Sequence, residues 1–267
     1  MQQTELLQSS LLESNIAQLK SAMRSEEGIA ITYALGRIAL SAINGELPVD
    51  ENKTRFFRGE FARFDFNEML KKLINSGIVS QATEILGERL QDLVREEHGI
   101  DISSSSIGEL AKYHQKGVYT SIWKNGAMHT ITITPFTSLT SNIEVAMKSA
   151  VNLLEMKAGI EMGLYVNDDG TYSSAFFQKI RDRISAGFAP IIYVIDVPNS
   201  AITDVQSVRS MGISETDGLV IKNSMNEYNE EEYITLSIHP SLIKGVMAFT
   251  GNPYEPRKED YWQFFRL

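Results

Sequence analysis

A proline-bounded apolar run sets the tightest limit on how this chain can fold. The run extends from Pro190 to Pro198 with the sequence PIIYVIDVP. Most of its residues are β-branched or aromatic, and such residues favour strands. Proline is tolerated at the ends of a strand, where it interrupts no ladder hydrogen bond between strands. The run therefore predicts a buried β-strand that its prolines delimit.

The other strand signals lie mostly after residue 115, whereas the first half of the chain is mainly helical in pattern. Asn125-Gly126 is a tight-turn dipeptide between two β-rich segments, which predicts a hairpin. Apolar residues recur at helical spacing in the first hundred residues. The stretch 199–229 is punctuated by Ser, Asp, Asn and Gly, and we expect a long, partly mobile loop there. The whole pattern predicts an α+β chain, with helices over 6–19, 26–43, 67–77 and 80–97 and strands over 54–61, 118–123, 129–134, 136–140, 233–238 and 245–249.

Composition removes several classes of function. The 267 residues contain no cysteine, so disulfides and a thiol nucleophile are excluded, and the four histidines lack the spacing of a metal site. A net charge of −9 argues against a nucleic-acid-binding protein. No apolar run approaches the ~20 residues that a membrane span needs. We expect a soluble protein without a cleavable secretory signal, because residues 1–5 carry neither a basic region nor a hydrophobic core.

Three short motifs follow one another at predicted strands. The first is Arg58, inside the aromatic strand 54–61 and followed by Gly59. The second is the Ser/Thr-rich segment 136–141, which leads into a helix through a capping box of Ser141 and Glu144. The third is the run of three glutamates at 230–232. Taken singly, they have ordinary explanations: an arginine on a strand edge, a helix cap and a solvated acidic strand start.

The triple glutamate directly precedes the strand that begins at Tyr233. Side chains alternate along a strand, so Glu230 and Glu232 are predicted to share one face while Glu231 points to the other. A shift of the strand by one residue would reverse these faces and make Glu231 the essential acid.

In this order the three motifs resemble the arginine–serine–glutamate signature of mono-ADP-ribosyltransferases of the cholera-toxin-like branch. The likeness includes a strand like 191–197 ahead of the last motif and an aromatic residue, Tyr228, in the loop before the glutamates. It spans residues 54–250 as scattered short motifs. Two features depart from the family: the middle residue of its Ser-Thr-Ser motif is Leu139 here, and the interval from Arg58 to Ser138 is long, which implies a helical insertion.

The resemblance implies a fold and a set of roles. Two small, roughly perpendicular sheets would form a split β core around an NAD cleft, with a helical flank over 1–50 and a catalytic domain over 51–267. Glu232 would stabilise the oxocarbenium-like ribose as nicotinamide leaves, and Glu230 would activate an acceptor guanidinium. Leu139 would point into the core. The resemblance also implies NAD binding by Arg58, Gly59, Ser138 and Thr140: Arg58 would bind the phosphates, Gly59 would let the ligand come close, and Ser138 and Thr140 would face the cleft. Ser138 would further orient Glu232, and Tyr228 would recognise the acceptor.

The implied activity is transfer of ADP-ribose from NAD to a protein side chain, expected to be arginine, without a metal. Such an enzyme would be a bacterial or phage toxin or effector, secreted into a target or host cell, with a host protein as acceptor and a secretion chaperone as a further partner of the flank. Without such delivery it would be cytoplasmic. Two alternatives stay open: an NAD glycohydrolase on the same fold, and a non-enzymatic interaction protein.

Overall fold

The computed structural model describes residues 36, 38–63, 66–124, 127–150, 188–224, 231–249 and 262–267. These residues form a mixed α/β structure with a large sheet and several helices, which is compatible with the predicted α+β class. None of the described helices is long and apolar enough to cross a membrane. The helices are α1 (residues 38–46), α2 (Phe66–Ser76), α3 (Gln81–Leu86), α4 (Arg89–His98), α5 (Ile107–Gln115) and α6 (Ile143–Ala150).

Eight strands form one hydrogen-bonded sheet, and two further strand pairs lie outside it. Neighbouring strands are antiparallel except for one parallel pair, β7 and β8. The sheet order is β12-β11-β6-β1-β5-β9-β8-β7, and the separate pairs are β10 with β2 and β3 with β4. The strands are β1 (Lys53–Arg63), β2 (Ile78–Val79), β3 (Tyr119–Lys124), β4 (Ala127–Thr132), β5 (Thr137–Thr140), β6 (Phe188–Pro198), β7 (Ile202–Asp204), β8 (Val220–Lys222), β9 (Glu232–Thr235), β10 (Ser237–Ile238), β11 (Ile243–Phe249) and β12 (Trp262–Arg266).

The proline-bounded run lies within β6, so the prediction of a buried strand is confirmed, but the strand begins at Phe188 and Pro190 lies inside it, opposite Phe61. This strand lies between β1 and β11, and Ile192, Val194 and Val197 are fully buried. It pairs with β1 along its whole length, from Lys53 opposite Pro198 to Arg63 opposite Phe188. The long ladder fixes the position of Arg58, which lies opposite Tyr193.

The described sheet is continuous, whereas the resemblance implied two small sheets. The junction is β5, which pairs with β1 on one side and β9 on the other. The contact with β1 is a single residue pair, Phe57 opposite Thr140, while β9 pairs with all four residues of β5. A short strand that pairs on both sides thus joins the part of the sheet carrying Arg58 to the part carrying Glu232.

Helix α1 packs into the same core as the central strands. Leu40 is fully buried in the hydrophobic cluster that contains Phe56 and Met147. Residues 38–46 of the predicted helical flank therefore pack on the sheet, while the predicted helix over 6–19 lies outside the described residues. A second cluster fills the space between α3, α4, α5 and strands β8 and β9. Helices α2 to α5 occupy the interval between Arg58 and Ser138, where a helical insertion is predicted.

A buried ion pair fastens the segment after α1 to the sheet. Arg55 donates through Nε and Nη2 to the two carboxylate oxygens of Asp196, at 2.7 and 2.9 Å. The same guanidinium donates to the carbonyl of Leu47. Because side chains alternate along β1, Arg55 and Arg58 point to opposite faces. Arg55 is thus a structural arginine, and removing its partner would leave a buried charge at a cost of about 3–5 kcal/mol.

Several local predictions differ from the structure. The helix predicted over 80–97 is two helices, α3 and α4, and the strand predicted over 233–238 is divided between β9 and β10, which lie in different sheets.

A loop is predicted over 199–229, but its described part, residues 199–224, contains β7, β8 and two 3₁₀ turns, Asn199–Ala201 and Ile213–Thr216. Ile221 and, in part, Leu219 are buried in the cluster beneath the helices, while Val220 is buried in the cluster around β1 and β6. The Ser, Asp, Asn and Gly residues around this short run are the reason for predicting a loop. The helix α6 is capped by Asn142, whose Oδ1 accepts from the Glu144 amide at 2.9 Å, and not by Ser141. The predicted hairpin is confirmed as the antiparallel pair of β3 and β4.

Candidate active site

Glu232 and Ser138 meet across neighbouring strands. Strand β9 begins at Glu232, which lies opposite Thr140 of β5, so Ser138 stands two residues along the same face. The Ser138 hydroxyl donates to Oε1 of Glu232 at 2.9 Å. Leu139, between Ser138 and Thr140, is 2% exposed and packs in the core as predicted, and Thr140 is itself buried. The sheet register therefore brings two of the predicted site residues into direct contact.

Arg58 joins this pair through the backbone. Its Nη1 donates to the carbonyl oxygen of Ser138 at 3.0 Å. Its Nε donates to Oε1 of Glu60 at 2.5 Å, and the second oxygen of Glu60 accepts from the Tyr193 hydroxyl at 3.3 Å. Within the described residues, Nη2 of Arg58 makes no hydrogen bond, and the side chain is 17% exposed. The guanidinium is thus oriented by two contacts and retains donors for a ligand.

A histidine outside the three sequence motifs completes the cluster. Nε2 of His114 lies 3.0 Å from Oγ of Ser138 and 3.1 Å from Oε1 of Glu232. Nδ1 lies 3.0 Å from Oγ1 of Thr134, which is itself buried. The phenyl ring of Phe136 packs edge-on to the imidazole at a centroid distance of 5.9 Å. His114 thus touches both the serine and the glutamate that the sequence singled out.

Asn223 supports the same carboxylate from the other side. It follows β8, and its amide Nδ2 donates to Oε2 of Glu232 at 2.8 Å. Its backbone N–H donates to the carbonyl of Glu232 at 2.9 Å. The side chain is 3% exposed. This residue lies in the segment that was predicted to be loop, so sequence reasoning missed it.

These donors keep Glu232 ionised in spite of its burial. Burial raises the pKa of a carboxyl, but the hydrogen bond and charge of His114 and the hydrogen bonds of Asn223 and Ser138 lower the pKa of Glu232 to about 2. The side chain is still 16% exposed. A carboxylate that is ionised and only partly buried is suited to stabilising a developing positive charge.

The cluster is not arranged as a serine nucleophile with its base and acid. In such a relay the serine binds one ring nitrogen of the histidine and the acid binds the other. Here Ser138 and Glu232 both lie at Nε2 of His114, while Nδ1 faces Thr134. The serine hydroxyl also donates to the carboxylate. The geometry therefore makes Ser138 and His114 orienting donors for Glu232.

Glycine at position 59 has a packing role on this strand. A Cβ atom built there would lie 1.9 Å from the carbonyl oxygen of Ala146 in α6, so only glycine permits this contact. The face of Gly59 that a side chain would occupy is filled by the helix, where the resemblance implied an approaching ligand. Thr140 Oγ1 accepts from the Asn142 amide at 3.0 Å and so helps to start α6.

Glu231 is separated from the cluster by its own contact. Its carboxylate Oε2 accepts from the Ser141 hydroxyl at 2.7 Å. Its φ of 48° is the only positive value of a non-glycine residue in the described part of the chain. Strand alternation therefore does not extend back through Glu231, and the argument that placed Glu230 and Glu232 on one face does not hold. Glu230 and Tyr228 lie outside the described residues.

Searches for related proteins do not add a family. Comparisons of the chain with protein-family models, with curated proteins and with solved structures find no match. Across the described residues, no group of three or more His, Asp or Glu side chains could hold a metal ion. Two cavities of about 210 and 230 Å³ are lined by other residues than this cluster. The geometry of Arg58, His114, Ser138, Asn223 and Glu232 is therefore the basis for a functional assignment.

Proposed function

We propose that the chain is a mono-ADP-ribosyltransferase that transfers ADP-ribose from NAD to a protein side chain. The observation that carries the proposal is the contact series from Arg58 to the Ser138 carbonyl and from the Ser138 hydroxyl to Glu232. Arg58 and Ser138 are 80 residues apart in sequence, and Ser138 and Glu232 are 94 apart. Each of the three belongs to one of the three sequence motifs. Their convergence supports the family resemblance at the level of the site.

The reaction breaks the bond between C1′ of the nicotinamide ribose and the pyridinium nitrogen. The bonding electrons leave with nicotinamide, which becomes neutral, and C1′ becomes an oxocarbenium-like cation. An acceptor nitrogen then bonds to C1′ and loses a proton to a nearby base. The ionised Glu232 carboxylate would stabilise the cation, and its low pKa means that it carries the charge at neutral pH.

Arg58 is suited to the pyrophosphate of NAD. A guanidinium stays charged and can bind two phosphate oxygens at once. The contacts with Glu60 and the Ser138 carbonyl orient its plane and leave the Nη2 donors for the ligand. The same carbonyl belongs to the serine that holds Glu232, so pyrophosphate binding and ribose positioning would be coupled through one residue.

The acceptor assignment belongs to the same proposal. Arginine is the expected acceptor, with Glu230 as the activating carboxylate and Tyr228 in the recognition loop. A role as a delivered bacterial or phage effector rests on the same resemblance. The acceptor arginine needs a carboxylate such as Glu230, because its side chain is protonated at neutral pH and must lose a proton to act as a nucleophile.

Labelled NAD separates the candidate functions. The chain would be incubated with NAD that carries a label in the adenylate portion and one in nicotinamide, with and without a lysate. Release of nicotinamide together with a labelled protein band is the expected result. Nicotinamide release without protein labelling would select an NAD glycohydrolase. Absence of both, with no shift of Tm on adding NAD, would contradict the proposal and favour an interaction protein.

A further inference from the structure

We propose that Asn223 is a positioning residue that holds the Glu232 carboxylate in place through Oε2, and so contributes with His114 and Ser138 to the lowest pH at which the site works. This inference rests on the proposed function for its consequence in catalysis. Its structural content is independent of that function, because it concerns one amide and one carboxylate. Nothing in the sequence motifs assigns a role to this residue.

The two atoms of the amide group are in unequal environments. Nδ2 donates to Oε2 of Glu232 at 2.8 Å, while Oδ1 is buried without a hydrogen-bond partner among the described residues. Leaving a buried acceptor unpaired costs about 1–3 kcal/mol. The opposite orientation would place Oδ1 against an ionised carboxylate oxygen, which is repulsive. The Asn223 amide is therefore oriented with Nδ2 toward Glu232, although this leaves its Oδ1 without a hydrogen bond among the described residues.

The backbone fixes where the amide stands. The Asn223 N–H donates to the Glu232 carbonyl at 2.9 Å, so the two residues are linked through both main chain and side chain. Lys222, the preceding residue, pairs with Tyr233 in the β8–β9 ladder. A side chain anchored at the end of a strand loses little further entropy when it orients a neighbour. Asn223 thus acts on Oε2, while Ser138 and His114 act on Oε1.

The titratable and charged residues near the Glu232 carboxylate differ in how directly they reach it. His114 of α5 faces it directly, at 3.1 Å from Oε1. Arg58 of β1 reaches it only through Ser138. Next to Asn223 and Glu232 in the chain, the titratable residues are Lys222, Glu231 and Tyr233. Asn223 donates to Oε2, and unlike these neighbours it cannot titrate.

Replacing the amide by a carboxylate tests this role without changing its shape. In Asn223→Asp, a second negative group would lie about where the amide nitrogen stands at 2.8 Å from Oε2. Two carboxylates that close cannot both ionise easily, so the pair titrates in two steps with the second raised. The expected result is that the second apparent pKa of the carboxyl pair lies above the ordinary pKa of a glutamate. It should exceed the pKa of Glu232 in the wild type by two units or more.

The measurement is a carbon-13 NMR titration of the labelled glutamate carboxyls in the intact chain, without NAD. Asn199→Asp is the matched control, because it makes the same chemical change at an exposed residue that contacts Thr54 and the Glu51 carbonyl. The titration midpoint of the Glu232 resonance, assigned with Glu232→Gln, should rise in Asn223→Asp and keep its wild-type value in Asn199→Asp. An unchanged Glu232 titration in the folded Asn223→Asp variant would overturn the proposal.

Asn223→Ala serves if the aspartate variant does not fold. It removes the donor without adding a charge, and the Glu232 titration should still rise, by less than in Asn223→Asp. No rise in Asn223→Ala would also overturn the proposal. The acid limb of nicotinamide release should shift by the same amount as the NMR titration. If no variant releases nicotinamide but the titration shifts, the proposed function fails while the role of Asn223 stands.

Discussion

The hydroxyl of Ser138 lies 2.9 Å from Oε1 of Glu232 and donates a hydrogen bond to it across the β5–β9 ladder. The pair is ninety-four residues apart in sequence. Arg58 binds the carbonyl of the same serine, so Ser138 connects the arginine to the glutamate through its main chain and its side chain. If the proposed activity holds, a change at Ser138 would alter it through the orientation of Glu232.

Ser138→Ala should slow nicotinamide release while leaving the fold intact. It removes one charge-assisted hydrogen bond to Glu232, which is worth about 1.5–3 kcal/mol, or roughly a tenfold to hundredfold loss in kcat/KM. The control is Ser141→Ala, which removes the hydroxyl that binds Glu231 instead. Equal losses in the two variants, measured by initial rates of nicotinamide release, would mean that the contact with Glu232 is not what matters.

His114→Phe should shift the acid limb of the pH–rate profile upward. The phenyl ring keeps the shape that packs against Phe136 but removes both nitrogen contacts, so the pKa of Glu232 loses its strongest lowering contribution. A higher pKa means that the carboxylate is protonated at a pH where the wild type is still ionised. His98→Phe on α4 is the control. A profile for His114→Phe that superimposes on the wild type would refute this role.

Much of the site could be predicted because each motif residue lies on or at a strand whose own pattern is clear. Arg58 is in an aromatic strand, Ser138 follows Phe136 in a Ser/Thr-rich strand, and Glu232 starts a strand. The buried strand β6, the hairpin and the inward position of Leu139 followed in the same way. Local periodicity determines which residues share a face, and that information is in the sequence.

His114 and Asn223 could not be predicted from motifs because tertiary packing brings them to the site. A signal for His114 was present: Ile107, Leu110 and Ala111 are buried, and His114 continues their helical spacing onto the same face of α5. For Asn223, the short apolar run that became β8 placed it at a strand end. The polar residues around that run favoured a loop, and sheet pairing overrode them.

The binding of NAD should depend on the shape of the Arg58 side chain as well as on its charge. Arg58→Lys keeps the charge but loses the planar fork that binds Glu60 and the Ser138 carbonyl together. The KM for NAD should rise roughly tenfold to a hundredfold, the cost of one or two charge-assisted hydrogen bonds. The contrasting change is Glu60→Gln, which still accepts from Arg58 but removes a negative charge near the pyrophosphate. Its KM should fall, and an increase matching that of Arg58→Lys would contradict a phosphate-binding role.

Stability should depend on pH through Glu232. Its pKa is lowered from 4.5 to about 2 in the fold, so its ionisation stabilises the native state above pH 4.5 and this contribution is lost as the pH falls toward 2. The full contribution is about 3 kcal/mol. The free energy of unfolding, measured in urea, should therefore differ more between the wild type and Glu232→Gln at pH 6 than at pH 3, by about 2 kcal/mol.

The comparison with Glu232→Gln is needed because other carboxyls also titrate in this range. The pKa values of Asp50, Asp101 and Glu109 are lowered by their own hydrogen bonds, to Lys53, Ser103 and Ser106 respectively. These groups are present in both proteins and cancel in the difference. If the difference in the free energy of unfolding between wild type and Glu232→Gln stayed constant from pH 6 to pH 3, the neighbours of Glu232 would not lower its pKa.

The most direct measurement compares nicotinamide release by Glu232→Gln and Glu231→Gln. The two variants change adjacent residues in the same way and remove the same charge from the protein. Glu232 lies among Ser138, His114 and Asn223, whereas Glu231 binds Ser141 outside that cluster. We predict that Glu232→Gln loses roughly a hundredfold or more of the rate while Glu231→Gln keeps most of it. An active Glu232→Gln with an inactive Glu231→Gln would contradict the account.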